Sequence, residues 1–319
     1  MPSLVRIFLC SLTLLLAVTS GAFAQYPDRA IKLIVPWAAG GDTDLIFRPL
    51  APLLQKYLGQ PVVIANVGGA SGTVGEREAS TAAPDGYTIF GAHDFIHSVY
   101  FGGMTDIKYD QAFEPICLVS STPSVITVGA KTPWKSYKEL VEDAKKRPGQ
   151  IVVGASLGST SQYSIALAAK SAGVTFKYVP YDGTAKRMNA LLGGHIDIGD
   201  SNLTQKSKVD AGLLRFLANM SEARTSGLED VPTLKELGYN VEFSVNRGIM
   251  VPKGTPAAVK AKLGEACAKA VKEPEFSKAM TPQGTDVRYM DSAQYAAYLK
   301  TTDAVTKDIT KDLGLLKRE

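Results

Sequence analysis

Cysteine and histidine are scarce in this chain, with three of each among 319 residues. Cys10 falls in an N-terminal apolar run, so only Cys117 and Cys267 lie beyond it. Neither these cysteines nor His93, His97 and His195 fall into a metal-ligand spacing, so no metal is expected. Charge of one sign is not in excess. The formal net charge is +4, and lysine and arginine are scattered rather than banded, which argues against a nucleic-acid partner. The short run Lys145-Lys146-Arg147 reads as a solvated helix end. Past the N-terminus no stretch is apolar and long enough to cross a bilayer as a helix. No internal repeat or low-complexity linker interrupts the sequence.

What is present at the N-terminus reads as a secretory leader over residues 1–24. Arg6 supplies the positive charge, residues 7–18 a short apolar run, and Ala22-Phe23-Ala24 a small-x-small cleavage site. Cleavage after Ala24 makes Gln25 the mature N-terminus. Removing 24 residues from 319 leaves 295, and losing Arg6 takes the charge from +4 to +3. That length is too great for one ordinary core and suits two domains. Export also puts Cys117 and Cys267 where a disulfide can form. From the sequence, a disulfide and two separate buried thiols both remain open.

Short apolar runs alternate with amphipathic stretches, the pattern of a layered α/β fold. Ile31–Val35 is expected as the first strand. A helix is expected over 44–58, delayed or kinked by Pro49 and Pro52, because proline past the first turn removes a hydrogen bond and crowds the turn before it. Further strands are expected at 62–65, 87–91, 116–119, 124–128, 151–155, 176–180, 196–199, 214–219 and 243–251. Ser120-Ser121-Thr122-Pro123 reads as a break between two of them. Helices are expected at 137–146 behind a Ser136 cap, up to 172 after the Ser156 loop, at 184–192, and in the tail at 256–271, 274–280 and 292–313. One unit recurs after Val35, Ile64, Ala155 and Val179: an apolar strand, a loop rich in Gly, Ser or Thr, then a helix. Ligands collect at the carboxyl ends of strands in open α/β sheets, so such loops are placed to close around one small molecule.

The first of these loops, Trp37-Ala38-Ala39-Gly40-Gly41-Asp42, is the most informative. Its glycines can take φ > 0 and admit close approach to the backbone. Asp42 or Thr43 starts a helix whose first N–H groups have no internal partner, and such groups favour an anion. No Gly-Lys-Ser/Thr follows, so this is not a P-loop, and the dinucleotide spacing is absent. An ordinary tight turn is the bland alternative. Ser156-Leu157-Gly158-Ser159-Thr160-Ser161 repeats the arrangement with hydroxyls, against a bland reading as simple capping. Gly154-Ala155-Ser156-Leu157-Gly158 also fits the G-x-S-x-G nucleophile elbow. An exported α/β hydrolase is therefore the alternative reading. It would need His195 as base and Asp182 as acid, since His93 and His97 precede the serine. Arg247 interrupts the largely apolar stretch 243–251. It is either tied to a surface acid or aimed at a ligand carboxylate, which its planar fork matches.

A series of motifs then runs in order along nearly the whole mature chain. It begins with Tyr26-Pro27-Asp28-Arg29-Ala30-Ile31 and Ile34-Val35-Pro36-Trp37-Ala38-Ala39-Gly40-Gly41, with Asp44 and Arg48. It continues through Leu58-Gly59-Gln60-Pro61-Val62-Val63, Gly69-Ala70-Ser71-Gly72, Ala83-Pro84-Asp85-Gly86-Tyr87-Thr88, Gly158-Ser159 and Val179-Pro180-Tyr181-Asp182-Gly183. Asp230-Val231-Pro232-Thr233 and Val251-Pro252-Lys253-Gly254-Thr255-Pro256 complete it. In these motifs the chain resembles the periplasmic substrate-binding proteins of tripartite tricarboxylate transporters, the Bug or TctC family.

The resemblance implies an α/β, two-lobed fold of the periplasmic-binding-protein type (type II, clam-shell) with a ligand cleft between lobes. Residues 25–124 with 247–319 would form one lobe and 125–246 the other. It implies no enzymatic activity and no cofactor. The expected function is a monomeric periplasmic receptor that captures a small carboxylate, a linear or aromatic dicarboxylate such as adipate or terephthalate, and delivers it to membrane transporter subunits. Carried over residue by residue, it puts Trp37, Ala39, Gly40, Gly41, Asp42 and Ser71 of one lobe opposite Ser156, Ser159, Thr160, Tyr181 and Asp182 of the other. His93, Asp94, Phe95, Asp200, Ser201 and Asn202 belong to further cleft-lining loops, and Arg247 is expected at the distal end of the ligand. Two departures bear on specificity. Gln162 stands where the family often has histidine, and Asn246-Arg247 where aromatic residues before glycine are common.

Overall fold

The computed structural model describes residues 26–319; the leader and its cleavage after Ala24 lie outside the described residues. Its strands are β1 (Ile31–Val35), β2 (Val62–Asn66), β3 (Thr88–His93), β4 (Phe113–Pro123), β5 (Val125–Gly129), β6 (Val152–Ala155), β7 (Lys177–Pro180), β8 (Ile198–Ser201), β9 (Leu214–Asn219), β10 (Ser244–Pro252) and β11 (Asp286–Met290). They form two sheets, ordered β11-β4-β10-β3-β1-β2 and β7-β6-β8-β5-β9. The helices are α1 (Asp42–Leu58), α2 (Thr73–Ser80), α3 (Phe95–Phe101), α4 (Tyr109–Ala112), α5 (Tyr137–Lys146), α6 (Thr160–Ala172), α7 (Thr184–Gly193), α8 (Lys206–Asp210), α9 (Ala257–Ala270), α10 (Pro274–Met280) and α11 (Ser292–Asp312).

β1 lies between β2 and β3, parallel to both. A strand in that position is covered on both faces, which is why its sequence is a nearly unbroken apolar run. Successive side chains point to opposite faces. Leu33 therefore packs with Ile46, Phe47, Leu50 and Leu54 of α1 and with Leu263 of α9. Ile34 packs on the other side with Phe95, Ile96 and Val99 of α3 and with Tyr295 and Leu299 of α11. The second sheet carries its own core, in which Ile126, Val153 and Ile198 meet Leu140 of α5 and Ile165 of α6.

The structure corrects two sequence-based expectations. α1 begins at Asp42 rather than Asp44 and runs on through Pro49 and Pro52 to Gly59, whose φ of 76° ends it. Its buried stripe of Ile46, Phe47, Leu50, Leu54 and Leu58 outweighs the hydrogen bonds that the prolines remove. Ser120-Ser121-Thr122-Pro123 is no break: these residues continue β4, paired with Arg247, Asn246, Val245 and Ser244 of β10.

The chain leaves the first sheet after Pro123 and enters the second at Val125, then returns before Ser244. At the crossing, Ser124 N–H donates to Phe243 C=O at 3.1 Å, Met220 N–H to Ser124 C=O at 2.9 Å and Phe243 N–H to Met220 C=O at 2.9 Å. Cys117 on β4 and Cys267 on α9 form a disulfide, which decides between the two states left open by the sequence.

Candidate functional site

A cavity of about 40 Å³ lies between the two sheets. The loop after β1 forms one wall. Gly40 takes φ of 76°, and its N–H donates to the Asp44 carboxylate at 2.9 Å. Arg48 and Asn66 also bond to Asp44. Burial would raise the Asp44 pKa, but these bonds more than offset it and hold the carboxyl below its ordinary range. A side chain on Gly41 would meet Ala38 C=O at 3.2 Å. Gly41 caps α1 with no side-chain bond, so the first N–H groups of the helix are unused by capping.

Trp37 and His93 make the floor. Their rings stack at 4.0 Å with an angle of 12°. His93 Nδ1 accepts from Phe95 N–H at 3.1 Å, which leaves Nε2 as the donor. Burial, then the nearby Arg247 and Arg187, pushes the His93 pKa well below its ordinary value. The ring is therefore neutral near pH 7.

The facing wall comes from the loop after β6. Ser156 N–H donates to Ser161 Oγ at 3.0 Å, and Ser156 Oγ accepts from Gly183 N–H at 3.1 Å. Ser159 starts α6 without a side-chain capping bond and is 2% exposed. Thr160 and Asp182 also line the cavity.

Two guanidinium groups are buried here. Arg247 is 2% exposed. Its Nε donates to Thr43 Oγ1 at 3.2 Å, and its Nη1 to Thr122 Oγ1 at 2.7 Å and Val245 C=O at 3.3 Å. All three acceptors are uncharged. Arg187 donates to Thr184 Oγ1 at 3.0 Å and sits 3.8 Å from the Asp200 carboxylate. Burial is the largest influence on each arginine and lowers both pKa values. It also pushes Asp200 up to about 6, against the pull of Arg187.

Of the residues expected at the site, Trp37, Gly41, Asp42, His93, Ser156, Ser159, Thr160, Asp182, Asp200 and Arg247 line the cavity. The others lie elsewhere. Ala39 and Gly40 belong to the outer part of the first turn. Asp94 is turned to β10 and α11, where it accepts from Asn246 N–H and Nδ2 and from the Tyr298 hydroxyl. Phe95 is fully buried in the core behind the floor. Ser71 reaches across to the second sheet, bonding Leu157 C=O at 2.7 Å and the Asp182 carboxylate. Tyr181 packs against Met188 and Leu191. Ser201 bonds Thr127, and Asn202 accepts from Thr204 N–H.

Thr43 and Ser161, from the two loops the sequence singles out, line the cavity as well, and so do Thr184, Lys186, Arg187 and Val245, which sequence reasoning did not select for it. Arg187 had a readable signal, since it falls on the same helical stripe as the buried Thr184, Met188 and Leu191. A charge on an apolar stripe asks for a partner. The hydrolase reading fails on geometry. Ser156 lines the cavity and His195 does not: His195 follows the far end of α7, with its ring against Gly193, and Asp182 accepts from Ser71 instead of orienting the histidine.

A family model described as a tripartite tricarboxylate transporter family receptor matches residues 46–315. A Cupriavidus necator protein named for the gbd 5′ region is 33% identical over 299 residues, which is 92% of this chain and 90% of that protein. Among solved structures, the periplasmic binding protein BugD superposes with a TM-score of 0.86 at 32% identity, over 92% of this chain and 100% of that one. An R. palustris protein solved with adipate gives a TM-score of 0.85 at 27% identity, over 91% and 98% of the two chains. MatC from Rhodopseudomonas palustris with bound malate gives 0.83 at 26%, over 89% and 99%. Taken with a cavity walled by loops of two sheets, these matches show that the chain belongs to the tripartite tricarboxylate transporter receptor family, the Bug/TctC periplasmic binding proteins, which bind substrates and are not enzymes.

Proposed function

We propose that this chain is a periplasmic receptor that captures a small carboxylate in the cavity between its sheets and hands it to the membrane subunits of a tripartite tricarboxylate transporter. Arg247 carries the reading. A guanidinium that is 2% exposed and hydrogen-bonded only to neutral oxygens has no carboxylate in direct contact, only the more distant Asp42, Asp94 and Asp200, and burying such a charge is costly unless an anion joins it. The unused N–H groups at the start of α1 and the Ser159 hydroxyl supply further donors on opposite walls. A ligand that touches both walls favours the closed arrangement, because only there are both sets of contacts made. The relatives solved with adipate and malate support a linear dicarboxylate as one ligand class.

Calorimetry on the mature protein with a panel of mono-, di- and tricarboxylates tests this. At least one should bind with micromolar affinity or better, about 8 kcal/mol of binding free energy. Arg247→Ala should weaken that ligand by about ten- to a hundred-fold, the value of one charge-assisted interaction of roughly 1.5–3 kcal/mol. Arg247→Lys should rescue poorly, because an ammonium lacks the planar fork. A folded protein that binds no carboxylate would end the proposal.

A further inference from the structure

The strands that join the two lobes have a space on each face. Where β4 and β10 pair, Thr122 lies opposite Val245 and Pro123 opposite Ser244, and successive residues of a strand point to opposite faces. Thr122 and Val245 face the ligand cavity, Thr122 through its bond to Arg247 and Val245 as part of the wall. Ser121, Pro123 and Ser244 face the other way, into a groove of about 460 Å³. The edge strand keeps the same alternation. Thr285, just before β11, bonds Thr122 at 2.9 Å, while Asp286 and Arg288 line the groove. Asp286 and Arg288 belong to the first lobe. The opposite wall, residues 220–225 and Glu242, belongs to the second.

The crossing strands therefore form a pivot with the cavity in front and the groove behind. The lobes touch on the cavity side, Ser71 with Leu157 at 2.7 Å and Tyr163 with Ser98 at 3.2 Å. A hinge rotation that parts those contacts brings the groove walls together. Among the described residues no ion pair crosses the groove. Arg224 is held by Glu236, and Glu222 and Glu242 are held by Lys235, all within the second lobe. Facing them, Arg288 is exposed; it donates to Asn246 Oδ1 at 3.3 Å and lies over the Tyr298 ring. We propose that Arg288 with Glu222 and Glu242 makes the groove a counter-lever of closure: as the cavity opens the groove shuts, Arg288 meets the two carboxylates, and this attraction holds the open form. The apparent affinity of a ligand that binds the closed form scales with the closed fraction. Residues that never touch the ligand then set how tightly it is held. The inference concerns lobe motion and is independent of the ligand's chemical class.

The test uses a background in which the front contacts are loosened, Ser71→Ala with Tyr163→Phe, and small-angle scattering without ligand. Adding Arg288→Glu sets like charges against Glu222 and Glu242, so it should shrink the radius of gyration. Adding Ala223→Trp instead, at an exposed position on the second wall, should shrink it by filling the groove. Combining Arg288→Glu with Glu222→Lys and Glu242→Lys renews the attraction with signs exchanged and should return the radius to that of the background. Calorimetry with adipate and with L-malate reads the same shift. Whichever binds should bind roughly two- to thirtyfold more tightly after Arg288→Glu, the value of one exposed ion pair lost and one repulsion gained. Radii that neither Arg288→Glu nor Ala223→Trp moves would overturn the inference. So would an effect of Arg288→Glu that the two lysines do not reverse. Failure of adipate and L-malate to bind bears on the carboxylate reading alone, and the scattering then decides the counter-lever by itself.

Discussion

Glu76, in the first turn of α2, is fully buried, and only the nearby Thr105 hydroxyl and Arg77 counter that burial in favour of the charged form. Burial pushes its pKa up to about 8, against about 4.3 in an unfolded chain. The folded state therefore holds a proton that the unfolded state releases. Stability from this group is full below about pH 4, falls as pH rises toward 8 and then levels off. Each pH unit between the two values is worth about 1.4 kcal/mol, so the loss amounts to several kcal/mol. Glu76→Gln removes the titration. Urea unfolding between pH 5 and 9 should show the wild type losing several kcal/mol relative to the variant, with most of the gap open by pH 8. Parallel pH profiles would mean that Glu76 reaches solvent or a partner in the native state. Arg247 poses the related problem of a buried cation without a carboxylate in direct contact. Its sequence context announced an unusual charge, but not that Thr43 and Thr122 would be its partners, because those lie far away along the chain.

Among the elements, β4 shows how pairing overrides local sequence. Ser120 to Pro123 has turn-like composition, yet β10 on one side and β11 on the other hold it extended. β11 was not expected from the sequence. Asp286–Met290 is short, half polar and at a sheet edge, where alternation is weakest and charged residues are common. The Cys117–Cys267 disulfide joins β4 to α9 across 150 residues of chain, a loop that includes every strand of the second sheet. Closing so long a loop limits the unfolded ensemble strongly. Replacing both cysteines by serine should cost roughly 2–5 kcal/mol in guanidinium unfolding. Ligand affinity should stay within about two-fold, because the bond lies in the core behind α1 and not on the cavity. A variant as stable as the wild type would show that the bridge is dispensable.

At the scale of the whole molecule, the lobes touch directly as well as through the crossing strands. Ser71 of the first lobe bonds Leu157 of the second at 2.7 Å. Tyr163 on α6 donates to Ser98 C=O at 3.2 Å and accepts from Thr310 on α11 at 3.0 Å. None of these residues lines the cavity. Each of the three bonds contributes roughly 0.5–1.5 kcal/mol net, so Ser71→Ala with Tyr163→Phe should shift the closed-to-open ratio by about ten- to 2,000-fold. Small-angle scattering without ligand should report a larger radius of gyration for the double variant, and saturating ligand should restore the wild-type value. An unchanged radius would mean that these contacts do not hold the lobes together and that the crossing strands alone set their separation.

Local physics made several features readable from the sequence alone. β1 follows from an apolar run, the Ser136 cap of α5 from a hydroxyl that accepts the Glu139 N–H, and the first loop from glycines that allow its tight geometry. The alternation of strands and helices gave away the α/β class for the same reason, since side-chain period depends only on neighbours in sequence. Other features required the tertiary structure. It paired Cys117 with Cys267, turned Asp94 and Phe95 away from the cavity and brought Arg187 into it. Each of these depends on which distant strand or helix lies alongside, and a contact between residues a hundred or more positions apart leaves no periodic trace in the sequence of either partner.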